Sequence, residues 1–163
     1  MKLLCLLLLA LAELPASDRR ELELAYLKVE RAAAYKYIDG MLSYRDFGFQ
    51  AHRHDGKRVD LAKERALLES AIGQAIQVED AITLESLRPE GQLIRCRVVE
   101  KLTLRYPPRN LLGEWRGASR ALEPERTIVW TSQGDDFWQR SERGWRCIRS
   151  QRSWRARGPS SRS

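Results

Sequence analysis

The chain has 163 residues, 43% of them hydrophobic and 31% charged. That length excludes a multi-domain machine, and that composition excludes a wholly disordered chain. The net charge of +7 is uneven: residues 140–163 hold eight arginines and one acid, Glu142, while the remainder balances to zero, so the basic pI does not describe the main body.

Met1-Lys2 precedes an apolar run from Leu3 to Ala12. One basic residue and about ten apolar ones form the layout of a secretory signal peptide, too short for a membrane span. Cleavage after Ala12 or Ala16 leaves Cys96 and Cys147 in the mature chain. Residues 1–16 are therefore expected to be a leader, and the product to be secreted or periplasmic. No second stretch is long and apolar enough to span a membrane.

From Asp18 to Ile38 the sequence predicts one long helix, capped by Ser17 or Asp18 and ended by Asp39-Gly40. Leu24, Leu27 and Ile38 mark one face, and Leu22, Tyr26, Val29 and Ala33 a stripe beside it. Phe47 to Arg53 reads as a strand. His54-Asp55-Gly56-Lys57 is a hairpin turn signal, and Arg58-Val59-Asp60 is the return. Asp60 caps a second helix that closes at Gly73. Four long strands follow: 76–87, 93–106, 126–140 and 145–154. The second has the cleanest alternation, with Ile94, Cys96, Val98, Leu102 and Leu104 on one side and arginines and a lysine on the other. Pro107 to Pro124 is a long loop, Ser141 to Gly144 a tight turn, and 155–163 a basic, disordered tail.

This order resembles the nuclear transport factor 2-like superfamily, also called ketosteroid-isomerase-like or SnoaL-like. The residues that carry the resemblance are Ile38-Asp39-Gly40-Met41-Leu42-Ser43-Tyr44 leading to Phe47 and Phe49, then Asp55-Gly56-Lys57. The strongest local match is Asp135-Asp136-Phe137-Trp138 with its turn and Gly144-Trp145-Arg146. It covers residues 17–154 and implies an α+β fold: a cone-shaped, curved mixed sheet of about six strands around two to three helices, with a conical pocket. Members include isomerases, cyclases, dehydratases and binding proteins, so the fold does not fix the function. The resemblance places Cys96 and Cys147 on strands flanking a third, roughly 9–10 Å apart, too far for a disulfide.

The candidate pocket residues are Tyr37, Tyr44, Glu100, Trp130 and Asp136. Glu100 is the one acid on the apolar side of its strand, either a pocket acid with a raised pKa or a residue turned to water at a strand end or bulge. Either Asp135 or Asp136 must point inward, the alternative being an outward carboxylate facing an arginine such as Arg149. Tyr37, Tyr44 and Trp130 either line the pocket or pack with their polar ends at its rim. His52-x-His54 lacks a third ligand and reads better as a solvated turn than as a metal site. No cofactor motif occurs.

The arginines every third residue from Arg140 to Arg155 would form one stripe on a helix. On a strand they alternate faces, which points to a solvated strand edge and tail, with nucleic acid disfavoured. The sequence thus suggests a pocket for a small, largely apolar molecule, with catalysis undecided and no catalytic residue assigned. Chemistry in that pocket would use Glu100 or Asp136 as base and a tyrosine as donor. The alternatives are an interaction or homodimerisation module with a filled pocket, and polyanion binding through the Arg-rich end.

Overall fold

A computed structural model describes residues 14–53, 55–110 and 122–157. Residues 1–13 of the expected leader, His54, the middle of the long loop and the end of the tail lie outside the described residues.

The elements in chain order are α1 (Ala16–Ala34), α2 (Ile38–Leu42), β1 (Arg45–His52), β2 (Arg58–Asp60), α3 (Leu61–Ile72), β3 (Gln77–Glu90), β4 (Leu93–Tyr106), β5 (Arg109–Asn110), β6 (Leu122–Glu123), β7 (Arg126–Ser141) and β8 (Gly144–Arg157). Six strands form one open sheet in the order β2-β1-β8-β7-β4-β3, and β5 pairs with β6. β1 runs parallel to β8, and every other pairing is antiparallel. The fold is therefore α+β, with a curved mixed sheet and three helices, as the resemblance implies.

The helices depart from the sequence reading in three ways. First, the expected long helix stops at Ala34 and a separate helix starts at Ile38. Lys36 adopts a left-handed φ of 56°, and the Lys36 and Tyr37 amides donate to the Ala33 and Ala32 carbonyls. That is a Schellman ending with lysine where glycine is usual. Lys36 Nζ donates to the Ala75 carbonyl at 2.9 Å, which ties the strained residue to the segment after α3.

Second, α1 starts two residues earlier than expected, with Pro15 at the N-cap position and no side-chain cap. Asp18 instead lies in the first turn, where the helix dipole favours an acid, and it accepts from Arg140. Third, only the Leu22–Tyr26–Ala33 stripe is buried, whereas Leu24 and Leu27 stay substantially exposed. The open sheet covers α1 on one side only. The second long helix follows the reading: Asp60 Oδ1 accepts from the Lys63 amide at 2.8 Å, and Gly73 ends it.

Along β4 the side chains alternate without a slip, and Ile94, Cys96, Val98, Glu100, Leu102 and Leu104 all face inward. Glu100 divides this row. Ile94, Cys96 and Val98 join Leu22, Tyr26, Phe49, Trp138 and Cys147 in one apolar cluster. Leu102 and Leu104 join Ala33, Met41, Ile72 and Val78 in another. A polar layer lies between the two.

β8 is an interior strand, not the solvated edge expected from its arginines. It lies between β1 and β7 and continues to Arg157, opposite Val129. Arginine tolerates this position because Arg146, Arg149 and Arg152 each find a separate partner. Arg146 donates to the Ser43 carbonyl, Arg149 lies 3.9 Å from the Phe137 ring centroid, and Arg152 enters the core.

Candidate functional site

Arg152 anchors the polar layer. Its guanidinium donates from Nε and Nη2 to the two oxygens of Asp136, and from Nη1 to Glu100. The bidentate fork is the strong arginine–carboxylate geometry. Tyr26 Oη donates to Asp136 Oδ2 at 2.9 Å, and Trp138 Nε1 donates to Tyr26 Oη at 2.9 Å. The chain Trp138–Tyr26–Asp136–Arg152–Glu100 thus links α1, β7, β8 and β4 through the interior.

Burial alone would raise the pKa of Asp136, but the charge and hydrogen bonds of Arg152 overcome it and hold the carboxyl below its ordinary value. Burial raises Glu100, and Arg152 offsets that only in part. Asp80, on β3, is pushed up to about 8, first by burial and then by the Glu100 charge. Both Asp80 oxygens are buried, and no donor from another described residue hydrogen-bonds to them. Two carboxyls facing each other without a donor between them must share a proton. Asp80 holds it at neutral pH because Arg152 stabilises the ionised form of Glu100.

A second ion pair completes the layer. Arg45 Nη2 lies 3.3 Å from Glu64 Oε1, and Arg45 Nη1 donates to Cys147 Sγ at 3.2 Å. Burial opposes the Arg45 charge, but Glu64, Cys147 and Asp136 together more than compensate and raise its pKa.

Two neighbouring spaces with a shared wall flank these groups. A cavity of about 220 Å³ is lined by apolar side chains including Val59, Leu67, Leu68, Trp130 and Trp154, and reaches Ser150 and Arg152. A chamber of about 60 Å³ lies deeper, with Tyr44, Ile82, Glu100 and Trp138 in its wall. Arg45, Glu64, Leu68, Leu102, Arg152 and Trp154 border both spaces. Small-molecule sites have this make-up: an apolar hollow with a few convergent polar groups.

The five sequence candidates fall at different depths. Glu100 and Tyr44 border the inner chamber, and Trp130 borders the outer cavity. Asp136 is fully buried behind Arg152. Tyr37 is 58% exposed at the turn after α1 and borders neither space. Asp135, the other member of the acidic pair, faces outward to Arg95 and Arg97. His52 borders the outer cavity. Among the described residues, no three His, Cys, Asp or Glu side chains are placed to hold a metal ion.

Arg152, Arg45, Glu64, Asp80 and Tyr26 were not singled out from the sequence as site residues. A signal for Arg152 existed, since it shares strand parity with Ser150 and Trp154, and an inward Glu100 needs a cationic partner. Nothing local marks Arg45, Glu64 or Asp80, because their roles depend on which strands and helices meet.

No protein-family model matches the chain, and no curated protein does. Solved structures do match. A Novosphingobium aromaticivorans protein provisionally named an aromatic ring hydroxylase superposes with a TM-score of 0.65 at 14% identity, covering 90% of this chain and 96% of its own. A second protein from that organism, provisionally named a scytalone dehydratase, gives 0.64 at 12% identity over 90% and 95%. A nuclear transport factor 2-like protein of Cytophaga hutchinsonii gives 0.52 at 12% identity over 83% and 96%. The chain has a nuclear transport factor 2-like fold. In that fold the two spaces described above form the hollow between the sheet and its helices, and the Arg152 network forms the wall behind it.

Proposed function

We propose that this nuclear transport factor 2-like domain binds a small, neutral, largely apolar molecule in its hollow. The observation that carries this reading is the apolar cavity set against a polar layer whose charges are already paired. Arg152 is taken by Asp136 and Glu100, and Arg45 by Glu64. A charged ligand would have to break one of these buried pairs, at a cost of several kcal/mol. A neutral ligand keeps them and displaces water from leucine, valine and tryptophan surfaces.

Ring hydroxylase and dehydratase are names of proteins that act on small organic molecules, which agrees with this reading. At 12–14% identity they transfer the fold and not the reaction. Asp136 is an unsuitable base, being buried, held ionised and saturated with donors. Asp80 lines neither space, so a proton it holds would reach a ligand through Glu100, which borders the inner chamber. The filled-pocket alternative gains no support from Trp130 and Trp138: the first borders the outer cavity and the second the inner chamber. With the leader-like residues 1–16, the reading is of an exported binding domain.

Native mass spectrometry of the purified chain tests it. A small-molecule adduct is expected on the wild type, and Leu68→Phe, which adds bulk to the wall shared by the two spaces, should lose it with the fold intact. Repeated recovery of the bare mass, or an adduct indifferent to Leu68→Phe, would overturn the proposal.

A further inference from the structure

The outer face of the sheet, opposite the hollow, carries a depression rich in arginine. On β4 the inward row of Ile94, Cys96 and Val98 leaves Arg95 and Arg97 facing outward. The strand register sets Arg88 of β3 opposite Arg95, Arg95 opposite Phe137 of β7, and Phe137 opposite Arg149 of β8. The adjacent row sets Ser86 opposite Arg97 and Arg97 opposite Asp135. Arg149 lies over the Phe137 ring, and Arg95 lies 6.0 Å from its centroid. A depression of about 240 Å³ is lined by Ser86, Arg88, Arg95, Arg97 and Asp135.

Three features separate this depression from an ordinary solvated sheet face. Asp135 is 7% exposed and accepts through one oxygen from Arg95 at 2.7 Å and Arg97 at 3.4 Å. It fixes two guanidiniums side by side while leaving each with N–H groups to spare. Arg88 has no ion pair among the described residues, yet it stands opposite Arg95, and like charges directly across a ladder are destabilising. The sheet also keeps a register shift between Leu84 and Ser86, a device that re-aims side chains, and it sets Ser86 at the depression. Four guanidiniums, those of Arg88, Arg95, Arg97 and Arg149, outnumber the nearby carboxylates of Glu85, Glu90 and Asp135.

We propose that this depression binds a phosphate monoester through Arg88, Arg95, Arg97 and the Ser86 hydroxyl. A dianionic phosphate would relieve the Arg88–Arg95 repulsion and take the guanidinium N–H groups that Asp135 leaves open. The charge pattern favours a compact group over an extended polyanion. Asp135, Glu85 and Glu90 interrupt the basic surface, whereas a nucleic-acid backbone needs a continuous basic track.

The test is an NMR titration of the full domain with inorganic phosphate and with phenyl phosphate at constant ionic strength, sodium chloride being the exchanged salt. Saturable amide shifts confined to 84–97 and 133–137 are expected, with Arg88→Gln weakening binding about tenfold, the worth of one charge-assisted hydrogen bond. Arg88→Gln also removes the Arg88–Arg95 repulsion, so it should unfold at or slightly above the wild-type urea concentration, and Ser86→Ala serves as an independent second variant. Shifts that chloride reproduces, or that survive both substitutions, would overturn the site. An oligonucleotide binding far more tightly than phenyl phosphate, with a steep salt slope, would overturn the compact ligand in favour of a polyanion. None of these outcomes bears on the hollow, which lies on the other face.

Discussion

Arg152 carries a buried charge that two carboxylates stabilise, and its removal exposes the repulsion it hides. Arg152→Met keeps much of the volume but leaves Asp136 and Glu100 uncompensated in an apolar interior. Breaking a buried pair in this way costs about 3–5 kcal/mol. Urea unfolding at neutral pH should show a loss of that size, and the loss should shrink toward acid, where Glu100 takes up a proton. Asp80 gives the opposite sign. Its pKa is about 8 in the fold against an ordinary carboxyl value near 4 when unfolded. The folded state binds the extra proton across that window, so this group's contribution is complete at about pH 4 and is lost as pH rises through about 8. Asp80→Asn should therefore gain on the wild type steadily from acid to alkaline pH, as read from urea midpoints across the range. A constant difference would show that Asp80 does not hold its proton in the fold.

Among the elements, β7 has the tightest constraint. Gly134 stands in register with Val98 and Arg152. A Cβ built on it would lie 2.0 Å from the Gln151 carbonyl oxygen and 2.7 Å from Arg152 Cα, both of them backbone atoms that cannot swing aside. Gly134→Ala should then cost at least about 3 kcal/mol, checked by urea unfolding, and it should displace Arg152 from the two acids. This constraint was not legible in the sequence, where Gln133-Gly134-Asp135 reads like any strand interior. What was legible followed short-range periodicity. The alternation from Ile94 to Leu104 placed Glu100 inward, and the Asp60 cap and the Gly144 turn fall where their chemistry puts them. The end of α1 was misread because Lys36 performs the job of a glycine, stabilised by a carbonyl 39 residues away. The arginines of β8 misled for a related reason. Their number suggested solvent, while their partners come from β7, β4 and the end of α2. Local pattern reports which side a residue faces and does not report what waits there.

At the scale of the molecule, the polar layer divides the interior into two apolar clusters of different character. The cluster around Leu22, Phe49, Cys96, Trp138 and Cys147 is the more closed of the two and meets the inner chamber through Tyr26 and Trp138. The cluster around Ile72, Leu102 and Leu104 shares its neighbours Leu68, Trp130 and Trp154 with the hollow. Local opening costs least where apolar contacts are fewest, so α3 and the mouth of the hollow should open without disturbing the closed cluster. Cys96 and Cys147, the two free thiols among the described residues, report on this directly, since both are wholly buried in the closed cluster. Burial pushes the Cys147 thiol up to about 12 and raises Cys96 as well, so neither is a reactive thiolate in the native state. A disulfide-exchange reagent should label neither in the native protein on the timescale of local fluctuation. Labelling under weak denaturant should proceed at one common rate for Cys96 and Cys147, set by global unfolding. Ligand bound in the hollow should slow both equally, because it stabilises the folded state against the unfolded one. Fast labelling of one cysteine alone would mean that the closed end opens by itself, and the two clusters would then have to exchange roles in this account of the fold.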